Sequence, residues 1–280
     1  MDVQPQAIVD SVRDPQYGNA LLHHPRNKNV KNTSGAYYYI NEHGNYATLK
    51  GLLPRLRETF WPASNNAYRQ MADVRSRPNT NNTSTGIKKK QRGRGRYQGV
   101  ITGTEVHQQL RDFVILDDKN FRKVHGELHP WCARLMEVIA VRRNWLLFLP
   151  EFDIYDEALR IGTSIDMVCL DKEGCLILLE FKTGYKDYFD GADGMMEQSL
   201  VAMRNTRQNQ ATLQITSAAQ ILHRQYGVPL ERMKLFIMRV DDESLDIVPV
   251  DQLFLKRAGE RVYQDLLLNQ GGNQENKSVS

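Results

Sequence analysis

The sequence predicts an α/β fold, a mixed central sheet flanked by helices, and three observations predict it. Hydrophobic residues make up 41% and charged residues 25% of the 280 positions, the balance of an ordinary globular chain rather than a disordered, fibrous or membrane-spanning one. From Gly103 onward, segments of helical and strand periodicity follow in the order α-α-β-β-β-α-β-β-α, which describes one core of helices covering a sheet. One strand, CLILLEF at residues 175–181, is apolar on consecutive positions, as a strand buried on both faces must be.

The elements follow in order. Residues 1–35 are polar and are expected to be loosely ordered. Residues 36–72 carry Tyr37, Tyr38, Tyr39, Leu49, Leu52, Leu53, Leu56, Phe60 and Trp61, enough for a short strand-like piece followed by a helix. Residues 73–99 read as a linker, because the Asn-rich tract at 79–86 cannot build a core. Val106, Leu110, Phe113 and Val114 recur at helical spacing, so 104–116 is a helix capped by Thr104. Pro130 opens a second helix, carrying Trp131, Leu135, Val138, Ile139 and Arg142. Strands at 145–155, 159–170 and 175–183 are joined by the polar turns 156–158 and 171–174, a hairpin signal. Residues 184–204 form a Gly/Asp/Met loop. A helix over about 205–226 stops at Gly227 and Pro229, and strands at 233–240 and 244–248 lead to a terminal helix over about 249–268. The division is therefore an N-terminal region, 1–99, with an aromatic segment and a basic linker; a core, 100–270; and a disordered tail, 271–280.

Charge is unevenly placed. Residues 1–100 hold 16 Lys+Arg against 6 Asp+Glu, and residues 101–280 hold 21 against 27. A basic front on an acidic back suggests a polyanion held by one part and cations by the other. The densest basic stretch contains Lys88, Lys89, Lys90, Arg92, Arg94 and Arg96. It reads as a flexible arm on nucleic-acid phosphates, as a nuclear-import signal, or as a solvated linker. Cys132, Cys169 and Cys175, an odd number in apolar surroundings, are expected to be buried free thiols of a reducing, intracellular compartment. They offer too few ligands for a four-cysteine iron–sulfur cluster. No apolar run is long enough to span a membrane, and the start of the chain lacks a secretory pattern.

The chemistry concentrates in residues 161–185. Strand alternation puts Glu180 and Lys182 on one face and Phe181 on the other. Folding about the 171–174 turn brings Asp166 opposite residue 179 or 180, so Asp166 and Glu180 become direct or diagonal neighbours. Glu-x-Lys on a strand is commonly a surface salt bridge. Here it follows Leu176, Ile177, Leu178 and Leu179, a poor place for a solvated pair. Two carboxylates this close repel unless a hard cation such as Mg²⁺ joins them. Gly162 permits another backbone or a ligand to approach closely. Glu151 reads as a strand-end salt bridge or as a carboxylate supporting the site. Trp131 and Trp145 read as core residues, and Tyr185, Tyr188 and Phe189 as loop packing or a base-stacking set.

At these residues the chain resembles the PD-(D/E)XK nuclease superfamily, and within it the RecB-like exonuclease branch. GTEVH at 103–107 looks like that branch's histidine helix, IGTSID at 161–166 its aspartate strand, and EFKTG at 180–184 its Glu-x-Lys strand. Gln214 falls where the branch has a helical glutamine; where it usually has a tyrosine four residues later, this chain has Ala218. The 151–166 segment is similar to members in large DNA viruses and phages. The resemblance implies a restriction-endonuclease-like core and a Mg²⁺- or Mn²⁺-dependent phosphodiesterase, most simply an exonuclease of DNA replication, recombination or repair. It implies that His107, Asp166, Glu180 and the Phe181 carbonyl hold the metal, that Lys182 assists the attacking water, and that Gln214 steadies substrate or lysine. The alternative expectation is a catalytically inactive nucleic-acid-binding protein that retains the fold.

Overall fold

The computed structural model describes residues 5–33, 36–41, 43–61, 92–183 and 192–271. Helices α1 (Pro5–Asp10) and α2 (Gln16–Leu22) precede strands β1 (Val30–Thr33), β2 (Ala36–Ile40) and β3 (Tyr46–Gly51) and helix α3 (Leu52–Phe60). Then come α4 (Arg92–Ile115), α5 (Asp118–His125) and α6 (Pro130–Met136), the last continued by a π-helical turn over Glu137–Arg142. Strands β4 (Leu146–Asp156), β5 (Ile161–Leu170) and β6 (Leu176–Thr183) follow, then a short ribbon of β7 (Ala192–Met195) and β8 (Arg204–Thr206). The chain continues through α7 (Arg207–Tyr226), β9 (Met233–Val240), β10 (Leu245–Pro249) and α8 (Gln252–Gly271).

The main sheet is mixed, in the order β1-β2-β3-β5-β6-β9-β10, with β4 paired to β5. Its hub is β5. Antiparallel β4 runs along its whole length. On the side away from β4, β3 meets only Ile161 and Gly162, in parallel, and β6 meets only Met167 to Leu170, antiparallel. Between these two contacts the sheet forks, and Asp166 lies at the fork. Strand β6 in turn runs parallel to β9.

Helices cover both faces. Leu176 and Leu178 of β6 join a larger core with residues of α1, α2, α3, α7 and α8, while Ile177, Leu179 and Phe181 join a second core under α4 and α6. The run of consecutive apolar residues is thus buried on both faces, as its pattern requires. All three cysteines are buried and free, and Trp131 and Trp145 are core residues. Among the described residues no helix is long and apolar enough to cross a membrane.

The structure adds α5, the β7–β8 ribbon inside the expected 184–204 loop, and a three-stranded β1–β3 ribbon where one strand-like piece was expected, and two further regions differ from the sequence reading. The first 35 residues do not hang loose where they are described: Val9, Val12 and Leu21 are buried in the larger core beside Leu52, Leu56 and Phe60. Their apolar side chains are too widely spaced among polar ones to stand out in composition, but Ile8, Val9 and Val12 share one side of a helical turn. This segment locks onto the β5–β6 turn. Gly174 (φ 76°) lies so close that a Cβ there would sit 1.5 Å from the Asp14 carbonyl oxygen, and Arg232 bonds Asp14 at 2.8 Å. Second, α4 begins at Arg92 and not at Thr104. Gly93, Gly95 and Gly99 each cost about 1 kcal/mol against alanine in a helix, which is why that stretch reads as linker. Lys88, Lys89 and Lys90 lie outside the described residues, as do Tyr185, Tyr188 and Phe189.

Candidate metal centre

The site is built at the fork. The β5–β6 ladder ends at Met167↔Leu179, and its register carried one step further sets Asp166 level with Glu180. Alternation along β5 slips there. Ile161, Ile165, Val168 and Leu170 all belong to the larger core, whereas Met167 and Cys169 belong to the smaller. Asp166 is turned into the gap, where its Oδ2 accepts the Phe181 backbone N–H at 2.7 Å. A carboxylate thus takes the place of a ladder acceptor.

Two further side chains converge on its other oxygen. Helix α4 packs Val106 and Leu110 into the smaller core. Its Gly103 lies against Thr183, whose Oγ1 would be 2.4 Å from a Cβ at that position, so the helix comes close to the end of β6. One turn on, His107 sets its ring edge-on to Phe181, 5.9 Å between centroids. The His107 Nδ1 lies 3.5 Å from Asp166 Oδ1 and 3.5 Å from Glu151 Oε1. Glu151 stands across β4 from Asp166, between the pairs Pro150↔Met167 and Phe152↔Ile165. Its φ is 46°, a left-handed conformation that costs a non-glycine residue roughly 1–3 kcal/mol and persists where surrounding structure enforces it. One ligand atom from each of His107, Glu151 and Asp166 lies within 4.8 Å of the others.

The remaining residues of interest lie on β6 and on α7. Glu180, only 3% exposed, is bonded by the Lys182 ammonium, which also donates to Gln214 Oε1 of α7 at 3.4 Å. The structure therefore joins His107 to Asp166, with Glu151 as third member, and joins Glu180 to Lys182 and Gln214. Phe181 enters through its amide and its ring. Ala218 is buried in the core, Gln220 donates to the Leu255 carbonyl, and Tyr226 packs on His24 and Phe152. None of these three takes part in either half-site.

Electrostatics tie the halves together. The Glu180 carboxyl is pushed up to about 7, first by burial and then by the charge of Asp166, against the pull of Lys182. Burial alone would lower the His107 imidazole, but Asp166, Glu151 and Glu180 raise it to about 9. Near neutral pH a proton on His107 balances the carboxylates, the role a cation would take. Two carboxylates and one imidazole, all partly open to solvent, suit a hard divalent ion; the oxygens fit Mg²⁺ or Mn²⁺, and the nitrogen is better tolerated by Mn²⁺.

A sign follows. An ion binds His107 only when its proton has left. Mn²⁺ affinity is therefore expected to rise with pH from about 6 to about 9 and to level off above, with proton release on binding. Calorimetry in buffers of differing ionisation enthalpy reads both; an affinity independent of pH would take His107 out of the ligand set.

No family model matches the chain, and no curated protein matches it. Among solved structures, the crystal structure of SSO0001 is similar over 62% of this chain and 88% of that one, at 13% identity and a TM-score of 0.24, a likeness too loose to support an argument.

Proposed function

We propose that this chain is a Mg²⁺- or Mn²⁺-dependent deoxyribonuclease. The observation that carries the reading is the gathering of His107, Glu151 and Asp166 within 4.8 Å, together with an ammonium group on β6 held by Glu180 and Gln214. His107, Glu151 and Asp166 would hold the ion. When bound, it supplies a water of lowered pKa and polarises a phosphoryl oxygen.

The chain's own residues supply the rest. The Phe181 N–H fixes one oxygen of Asp166 and leaves the other toward His107. Glu180 and Gln214 hold Lys182 from two directions, so its ammonium is positioned before substrate arrives, and a prepositioned cation stabilises the charge that develops on phosphate oxygens. Arg92, Arg94 and Arg96 begin the helix that carries His107; from Arg96 to His107 is about 16 Å along its axis, so this basic stretch would lead DNA toward the acids. A second reading, a nucleic-acid-binding protein that holds the ion without cutting, is favoured by the commitment of Glu180 to Lys182 rather than to the ligand group.

The test is incubation with linear and with circular DNA in Mg²⁺, Mn²⁺ or EDTA. Metal-dependent loss of linear DNA alone is the expected exonuclease result, and loss of both forms would make the enzyme an endonuclease. Intact DNA in every metal would leave the second reading.

A further inference from the structure

Strands β1, β2 and β3 form an antiparallel ribbon whose two faces differ. The register places Lys31 opposite Tyr38 and Tyr38 opposite Thr48, with Ile40 opposite Tyr46. Cross-strand partners share a face, as do residues two apart, so Lys31, Tyr38, Ile40, Tyr46 and Thr48 lie together. The alternate residues face β4 and β5. Asn32 donates to Asp153 Oδ1 at 3.4 Å, Tyr37 OH meets Ser164 Oγ at 3.0 Å, and Tyr39 stacks on Tyr155 at 5.4 Å. Gly162 makes this seat possible, since a Cβ there would fall 2.6 Å from Tyr37 Cβ. Asp153 and Ser164 are each two residues from a carboxylate of the metal centre, Glu151 and Asp166, roughly 7 Å along the strand. The ribbon is thus attached beside the site.

Its outer face has the chemistry of a nucleobase platform. Tyr46 is 58% exposed. Lys31 donates to its hydroxyl at 2.8 Å and lies 5.1 Å from its ring centre, which holds the ring while the lysine remains exposed. Residues 28–51 contain three lysines, Lys28, Lys31 and Lys50, and one acid, Glu42; Lys50 is paired with Glu58, so Lys28 and Lys31 make this region complementary to a polyanion. Aromatic rings on a flat face stack on bases only where those bases are unpaired; a duplex presents its phosphates instead.

We infer that the outer face of this ribbon, with Tyr38, Tyr46 and Lys31, binds single-stranded DNA and delivers it to the metal centre. The inference rests on the nuclease reading for its substrate and refines it. The test is the affinity of the full chain for a fluorescein-labelled single-stranded oligonucleotide and for the matching duplex, both in EDTA, with cleavage assayed separately in Mn²⁺. Y38A/Y46A is expected to weaken single-strand binding by about 100-fold and duplex binding by less than about threefold, while Y38F/Y46F restores it. K31A is expected to lower the slope of log affinity against log salt by about 0.7. Unchanged single-strand affinity in Y38A/Y46A, or equal losses for both DNAs, would overturn the platform even if the parent cuts DNA. Tyrosine-dependent binding by a parent that cuts nothing would uphold the platform and overturn the nuclease reading.

Discussion

Replacing Lys182 by alanine is expected to lower DNA cleavage by about two to three orders of magnitude while leaving Mn²⁺ binding within a few-fold of the parent. The size is that found when one prepositioned charge-stabilising donor is removed from an active site. The selectivity follows from position. Lys182 bonds Glu180 and Gln214, whereas the proposed ligand group is His107, Glu151 and Asp166. Removing the ammonium also leaves Glu180 buried without its cation, and a buried unpaired carboxylate takes up a proton. K182A should therefore fold, with the Glu180 carboxyl driven further up. Gln214→Ala, which loses only a support of the lysine, should lower cleavage by less, roughly tenfold, and chiefly through kcat. Activity equal to the parent in K182A would end the catalytic assignment.

Asp166→Asn is expected to abolish measurable cleavage and to weaken Mn²⁺ binding by about 100-fold or more. Loss of a group that merely supports a ligand costs 10–100-fold in metal affinity, and Asp166 is proposed as a ligand itself. The asparagine oxygen can still accept the Phe181 N–H, so the fork keeps its shape and the thermal midpoint should move little. A second readout needs no metal. Asp166 is the largest favourable influence holding the His107 imidazole up to about 9. Imidazole chemical shifts followed against pH should show its midpoint falling toward the ordinary histidine value in D166N. A midpoint that stays near 9 would mean Asp166 does not face His107.

Much of this arrangement was legible in the sequence. The β5–β6 hairpin follows from two apolar runs and a polar turn, which bring Asp166 opposite residue 179 or 180; the observed register sets it level with Glu180. Glu180, Lys182 and Gln214 meet because Glu-x-Lys at the end of a buried strand must find partners on the covering helix. His107 was visible through its glycine-containing helical context. Glu151 was visible only as a strand-end or supporting carboxylate, because its place beside His107 and Asp166 depends on a left-handed backbone and on the bulge between Leu147 and Leu149; neither leaves a period in the sequence. The pairing of Glu180 with Lys182 and Gln214 rather than with His107 and Glu151 was equally hidden, since it arises where β5 loses its partner and its alternation slips. The ribbon of β1, β2 and β3 and the packing of α1 and α2 depend on contacts with residues more than a hundred positions away, such as Asn32 with Asp153. Local composition cannot show these.

Crystals of the full chain grown with MnCl₂, with data collected at the manganese absorption edge, test the metal centre most directly. The predicted result is an anomalous peak bounded by His107 Nδ1, Glu151 Oε1 and Asp166 Oδ1, at roughly 2.0–2.2 Å from each. A peak elsewhere with none at Asp166, or none at any manganese concentration, would contradict it.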